Sequence, residues 1–168
     1  LANTQWNWQL SNHNLISGLY FKNESLVDSA TNQNADMPVT ELERWAFAVF
    51  AEDTWSITDT FNLTTGLRYD HDENYDGNFS PRLYGVYNPT DAWTFKGGVS
   101  TGYKQPDLRD SSSDVHSVTG KGSAFIMGND NLKPEKSLSY ELGTAWQGDK
   151  AKASLTAFYT EYKDKITE

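Results

Sequence analysis

Apolar and polar positions alternate with period two along most of the chain, and helical periodicity is nearly absent. The stretch "WAFAVFAEDTW" shows it well. Trp45, Phe47 and Val49 fall on one face of an extended chain, and Ala46, Ala48 and Glu52 fall on the other. The same pattern predicts strands over 4–12, 14–23, 43–55, 61–72, 79–88, 92–104, 137–147 and 150–162. In 61–72, Leu63, Leu67 and Tyr69 oppose Thr64, Arg68 and Asp70. In 92–104, Trp93, Phe95 and Val99 oppose Lys96, Gly98 and Ser100. In 137–147, Leu138, Tyr140 and Leu142 oppose Ser139, Glu141 and Gly143.

The connections alternate in length. "SNHN", "SITDT", "NPTDA" and "QGDK" are short; "ESLVDSATNQNADMPVTEL", "HDENYDGN" and the stretch 105–136 are longer. In an antiparallel meander this gathers the turns at one end and the loops at the other. Short periplasmic turns and long extracellular loops characterise an outer-membrane barrel, whereas a β-sandwich has no reason to segregate loop lengths. Aromatic residues follow the same division. Trp55, Phe61, Tyr87, Trp93 and Trp146 lie beside the short turns, and Tyr20, Phe21, Trp45, Tyr69 and Tyr103 lie toward the long loops. Two such rows resemble the interfacial girdles of a barrel. The predicted fold class is all-β: an antiparallel meander of about eight strands forming part of a transmembrane β-barrel wall.

Composition narrows the function. The hydrophobic fraction of the 168 residues is 37 % and no apolar run is long enough for a membrane-spanning helix, which leaves a barrel open. A net charge of −9 argues against nucleic acid, and the absence of Cys removes disulfides and thiolate metal sites. His13, His71 and His116 lie far from any nucleophile-like Ser motif, so neither an enzyme nor a catalytic residue is expected. "DENYDG" (72–77) matches the first half of a calcium loop, but Leu83 stands where a bidentate Glu is needed; the segment reads as a hairpin loop, and no metal site is expected. The stretch 105–136 is rich in Ser, Gly and Asp. Val115, Phe125, Ile126 and Met127 are its few apolar anchors, a composition that cannot hold one conformation by its own contacts.

Three segments carry a family likeness: "WAFAVFAEDTWSITDTFNLTTGLRYD" (45–70), "NFSPRLYGVYNPTDAWTFKGGVSTGYKQPDLRD" (78–110) and "GNDNLKPEKSLSYELG" (128–143). In this order and spacing they resemble the barrel of TonB-dependent outer-membrane receptors, above all catecholate-siderophore and colicin I receptors, over 45–162. The resemblance implies a bacterial outer-membrane receptor for TonB-dependent uptake of a ferric siderophore. The siderophore is then a transported ligand, and no resident cofactor is implied. Such receptors enclose a plug domain, on which TonB pulls, in a barrel of about twenty-two strands. No plug is recognisable here, so 1–168 is expected to be an internal barrel segment, insufficient for transport alone. Its implied partners are the ferric siderophore, TonB through the plug, outer-membrane lipid, and a colicin or phage. An alternative is a self-contained eight-stranded outer-membrane barrel with a structural or adhesive role, and a soluble sugar-binding sandwich stands further off.

Site residues follow from the alternation and the resemblance together. Arg68, Arg82 and Lys96 sit on lumen-facing, hence plug-facing, positions and need water or a partner there. Arg82 is expected to meet a plug group or a cross-strand carboxylate. Tyr103, Lys104 and Arg109, at the root of the longest loop, are the candidate ligand-binding residues, because cation and aromatic contacts suit an anionic iron–catecholate complex.

Overall fold

A computed structural model describes residues 1–29, 32–36, 40–119 and 124–166. The side chain of Phe125, expected to help anchor the long loop, lies outside the described ones. Strands β1 (Ala2–Leu10), β2 (His13–Asp28), β3 (Thr40–Thr58), β4 (Phe61–Asp72), β5 (Asn78–Thr90), β6 (Trp93–Lys104), β7 (His116–Thr119), β8 (Ala124–Met127), β9 (Glu135–Gln147) and β10 (Lys152–Lys163) account for all its regular structure. Eight of them form one sheet in the order β1-β2-β3-β4-β5-β6-β9-β10, while β7 and β8 pair as a separate hairpin inside the β6–β9 loop. Every neighbouring pair is antiparallel. β1 and β10 do not pair with each other, so the sheet is open and not the closed eight-stranded barrel of the alternative reading.

Turns of two residues join β1 to β2, β3 to β4 and β5 to β6. Ser11, in the first of them, takes a left-handed φ of 49°, as tight hairpin turns require. The meander places these turns and the β9–β10 turn at one end, and the β2–β3, β4–β5 and β6–β9 loops at the other.

The register gives all eight strands a common pair of faces, because directly paired residues point to the same side. One face is apolar. Phe21, Phe47 and His71 lie in one row across β2, β3 and β4, followed by Tyr69 and Phe79 across β4 and β5. Toward the turns Phe61 meets Tyr87, and Trp93 meets Trp146. The expected outward residues Trp45, Phe47, Leu67, Leu83, Phe95, Leu142 and Leu155 all lie on this face, and Arg68, Arg82, Lys96, Ser139 and Thr156 all lie on the other. Tyr20 departs from the expected girdle. It pairs with Ala48 and so points to the polar face, since it and Phe21 are consecutive and cannot share a side.

The apolar face is uncovered. Leu142 is 69 % exposed and Leu155 71 %, and many of the large side chains beside them are exposed. Among the described residues only Ala48 and Val115 are buried hydrophobics. The sheet therefore has no conventional core. Glycines on the polar face make room for side chains crossing from neighbouring strands. Gly98 lies between Tyr84 and Glu141, whose side chains hydrogen-bond over it (Tyr84 Oη to Glu141 Oε1, 2.8 Å).

A Cβ on Gly98 would lie 2.4 Å from the Leu83 carbonyl and 2.5 Å from Tyr84 Cδ2, while one on Gly85 would meet nothing nearer than 3.4 Å. Gly98→Ala is expected to destabilise the folded protein by about 1–3 kcal/mol, the scale of overpacking, and Gly85→Ala by much less. Urea unfolding midpoints of the two variants check this.

Candidate functional site

The polar face carries cations on successive strands, each held by a carboxylate. Arg68 Nη2 lies 2.8 Å from Asp70 Oδ1. Arg82 Nη1 lies 3.0 Å from Glu52 Oε2, reaching across β4 over Gly66, which stands between the two residues in the register. Lys96 Nζ lies 3.2 Å from Glu141 Oε1. Arg68 also sits over the Tyr20 ring, 5.8 Å from its centroid. The three lumen-facing cations of the sequence reading thus find carboxylate partners within the sheet. All three pairs are partly exposed and add little to stability; Arg82–Glu52 and Lys96–Glu141 tie strand to strand, whereas Arg68–Asp70 lies within β4.

At the loop end this face carries a buried charge cluster. Arg44 of β3 is 4 % exposed. Its guanidinium lies 2.9 Å from Glu24 Oε2 on β2 and 3.4 Å from Asp72 Oδ2 on β4, and donates to the Pro106 carbonyl of the β6–β9 loop at 2.9 Å. Arg44 thereby joins three adjacent strands to a loop that starts two strands beyond them. Asp72, the first residue of the "DENYDG" stretch, is engaged with Arg44 and accepts the Asn74 N–H at 2.8 Å, as the hairpin reading requires. Burial pushes the nearby Tyr75 phenol above its usual range, against the opposing effect of a Ser111 hydrogen bond and of the Arg44 charge.

A second set of contacts fastens the β6–β9 loop to the connection between β2 and β3. Arg109 Nη2 lies 2.7 Å from Asp28 Oδ2. The Asn32 side chain bonds Thr40 Oγ1, donates to the Asp114 carbonyl at 3.4 Å and accepts the His116 N–H at 3.1 Å. The Gln33 N–H donates to the His116 carbonyl at 2.6 Å. The loop composition predicts that it cannot hold one conformation by itself; besides contacts within it, such as the β7–β8 pairing, it is held from outside by Arg44, Asp28 and Asn32, and Val115 is its one buried hydrophobic among the described residues.

Beneath the loop lies a cavity of about 740 Å³, within the usual range for ligand pockets. Lys104 and Arg109 line it, so the loop brings together two of the three residues picked out from sequence. Tyr103 is not in its lining. The register sets Tyr103 opposite Lys136, whose Nζ lies 5.9 Å from the ring centroid. Asp107, Asp110 and Glu135 also line the cavity, and Ile126 and Met127 give it an apolar wall. The sequence reading missed Arg44, Asp72, Asp28 and Asn32. Parity offered a clue to Arg44, which shares the polar face with the small Ala46 and Ala48 and so has space to be enclosed.

A family model described as "TonB dependent receptor-like, beta-barrel" matches residues 1–168. The chain is 45 % identical over 159 residues to the iron-regulated outer membrane virulence protein of Vibrio cholerae serotype O1, covering 94 % of this chain and 24 % of that protein. It is 37 % identical to the ferric enterobactin receptor of Pseudomonas aeruginosa over 90 % of this chain and 19 % of that one. The siderophore receptor PirA from Pseudomonas aeruginosa superposes with a TM-score of 0.84 at 25 % identity, covering 95 % of this chain and 31 % of that structure. The chain spans about a quarter of the length of the curated relatives it matches.

The loop also holds a contact that depends on pH. Asp130 is held below the ordinary aspartate range by the Ser113 hydroxyl at 2.5 Å and by the Ser113 N–H at 2.8 Å. A depressed native value means that this contact stabilises the loop above the ordinary aspartate value of about 4, and that the contribution is lost as pH falls through the native value. Amide exchange at Ser113, corrected for intrinsic pH dependence, is expected to speed up on acidification. Asp130→Asn should remove that pH dependence.

Proposed function

The chain belongs to the TonB-dependent receptor β-barrel family, and on that premise we propose that it forms part of the wall and mouth of an outer-membrane receptor that takes up a ferric siderophore. The observation that carries this reading is the uncovered apolar face of the eight-stranded sheet. A water-soluble antiparallel sheet buries its apolar side; this one presents aromatic and aliphatic residues outward and ion pairs inward, as a barrel wall between lipid and lumen does. The edges of β1 and β10 have no partner strand within the sheet. Backbone groups in hydrocarbon must be paired, so the segment serves a membrane as part of a larger closed barrel. The described residues supply wall and loops. TonB acts on a plug that they do not include, and the segment does not transport alone.

The ligand is captured at the mouth, where Lys104 and Arg109 line the cavity below the β6–β9 loop. Lys104 and Arg109 offer an anionic iron–catecholate complex charge-assisted hydrogen bonds and Ile126 and Met127 offer apolar contact, against the like charge of Asp107, Asp110 and Glu135 in the same lining. Tyr103 supports the loop root and does not line the cavity. The inward cations Arg68, Arg82 and Lys96 present their ion-paired ladder to the lumen and the plug.

In the full-length receptor, replacing Lys104 and Arg109 together with Ala is expected to weaken ferric-siderophore binding by about 1–3 kcal/mol while the barrel still folds. Fluorescence-quenching titration of the purified double variant measures it, and an unchanged Kd would move the site to other loops. Leu142→Lys on the outer face is expected to cost about 2–4 kcal/mol of barrel stability in vesicles, against little for Thr156→Lys on the inner face. Equal costs at the two positions would refute the membrane assignment of the faces.

A further inference from the structure

The β6–β9 loop and the β2–β3 connection are joined by a closed circuit of polar contacts. It leaves the loop at Arg109, whose Nη2 lies 2.7 Å from Asp28 Oδ2. Asp28 Oδ1 accepts the Asn32 N–H at 3.3 Å. Asn32 returns to the loop through the Asp114 carbonyl at 3.4 Å and the His116 N–H at 3.1 Å. Of these residues only Arg109 lines the cavity. Its side chain is 39 % exposed, whereas that of Asp28 is 5 % exposed. The Arg109 guanidinium therefore pairs with a buried carboxylate and also borders the cavity.

We propose that the Arg109–Asp28 ion pair is an exchangeable latch: an anionic ligand entering the cavity competes with Asp28 for the guanidinium and loosens the β2–β3 connection from the β6–β9 loop. This rests on the reading of the segment as the mouth of a siderophore receptor. The physical reason lies in the burial of Asp28. A buried carboxylate that loses part of its cation becomes costly where it stands, so the equilibrium shifts toward arrangements in which water reaches it. Asn32 is bonded to Asp28 and moves with it, and the bonds to Asp114 and His116 weaken in turn. The relation is reciprocal. Whatever the ligand does to the latch, the latch does to ligand affinity, and in the empty protein Asp28 opposes capture by neutralising Arg109.

The experiment uses the full-length receptor, with ferric enterobactin as the probe and amide hydrogen exchange at Gln33 and His116 as a second readout. Asp28→Asn is expected to tighten ferric enterobactin binding about fivefold, and to change nothing when Arg109 is already Ala. Ligand added to the wild type is expected to speed exchange at both amides about fivefold, an effect that Asp28→Asn removes. An Asp28→Asn effect of the same size with and without Arg109, or unchanged exchange on ligand addition to a wild type that binds, overturns the latch. A wild type that binds no ferric enterobactin counts against the receptor reading and leaves the latch to be decided without ligand. In that case Asp28→Asn and Arg109→Ala must each speed exchange at His116 and together do no more than either alone; additive effects overturn it. Should Asp28→Asn fail to fold, Arg109→Gln in the empty receptor is expected to speed His116 exchange about fivefold, and an unchanged rate overturns the proposal.

Discussion

Every strand of the main sheet shares one parity of register, and both faces follow from it. Antiparallel pairing sets residues directly opposite one another, and opposite residues point the same way. Phe47 can stand beside Phe21 and His71 only because no strand between them has slipped by one position. A single slip would send a whole strand of apolar side chains into the lumen and its charges outward. The eight strands hold one parity from β1 to β10, with irregularities only beside the short turns, at Ser56/Thr58 and Tyr87/Thr90. Those lie at the turn end, where a shift no longer disturbs the faces above it.

Given that parity, the two faces solve different problems. The outer one needs no partner within the protein, which is why so much apolar surface stands exposed. The inner one has to satisfy charges, and does so across strands. Arg82 reaches Glu52 over Gly66, and Tyr84 reaches Glu141 over Gly98. A glycine in mid-strand weakens a sheet locally, yet here it opens the lane through which two long side chains meet.

The loop end follows another logic, because it has almost nothing apolar to bury. Arg44 and Asn32 place the β6–β9 loop through polar contacts alone. Buried ion pairs of this kind are modest sources of stability, since desolvation offsets much of their attraction, but they are costly to leave half-made and so specify one arrangement. A mouth held by exchangeable polar contacts can respond to a charged ligand; one held by a hydrophobic core could not. On the proposed reading this mouth captures an anionic complex, with Lys104 and Arg109 as the cations of a lining that also holds Asp107, Asp110 and Glu135.

Alternation alone marks the eight strands of the main sheet and their two faces. The 61–72 strand has the observed bounds, and the outward and inward residues separate as the alternation requires, because period two is a local property that each strand states alone. The ends of the strands were less legible. β2 continues to Asp28 and β3 begins at Thr40, in stretches where Leu26 faces inward and the apolar alternation fades. The four-residue strands β7 and β8 are too short for any period to register. Which inward residue meets which is set by contacts between distant parts of the chain. Arg44 and Pro106 are 62 positions apart, and Arg109 and Asp28 are 81. Their meeting depends on how the loop folds back across the intervening strands. Alternation tells a side chain which way to point; the path of the chain above the sheet tells it what it will find there.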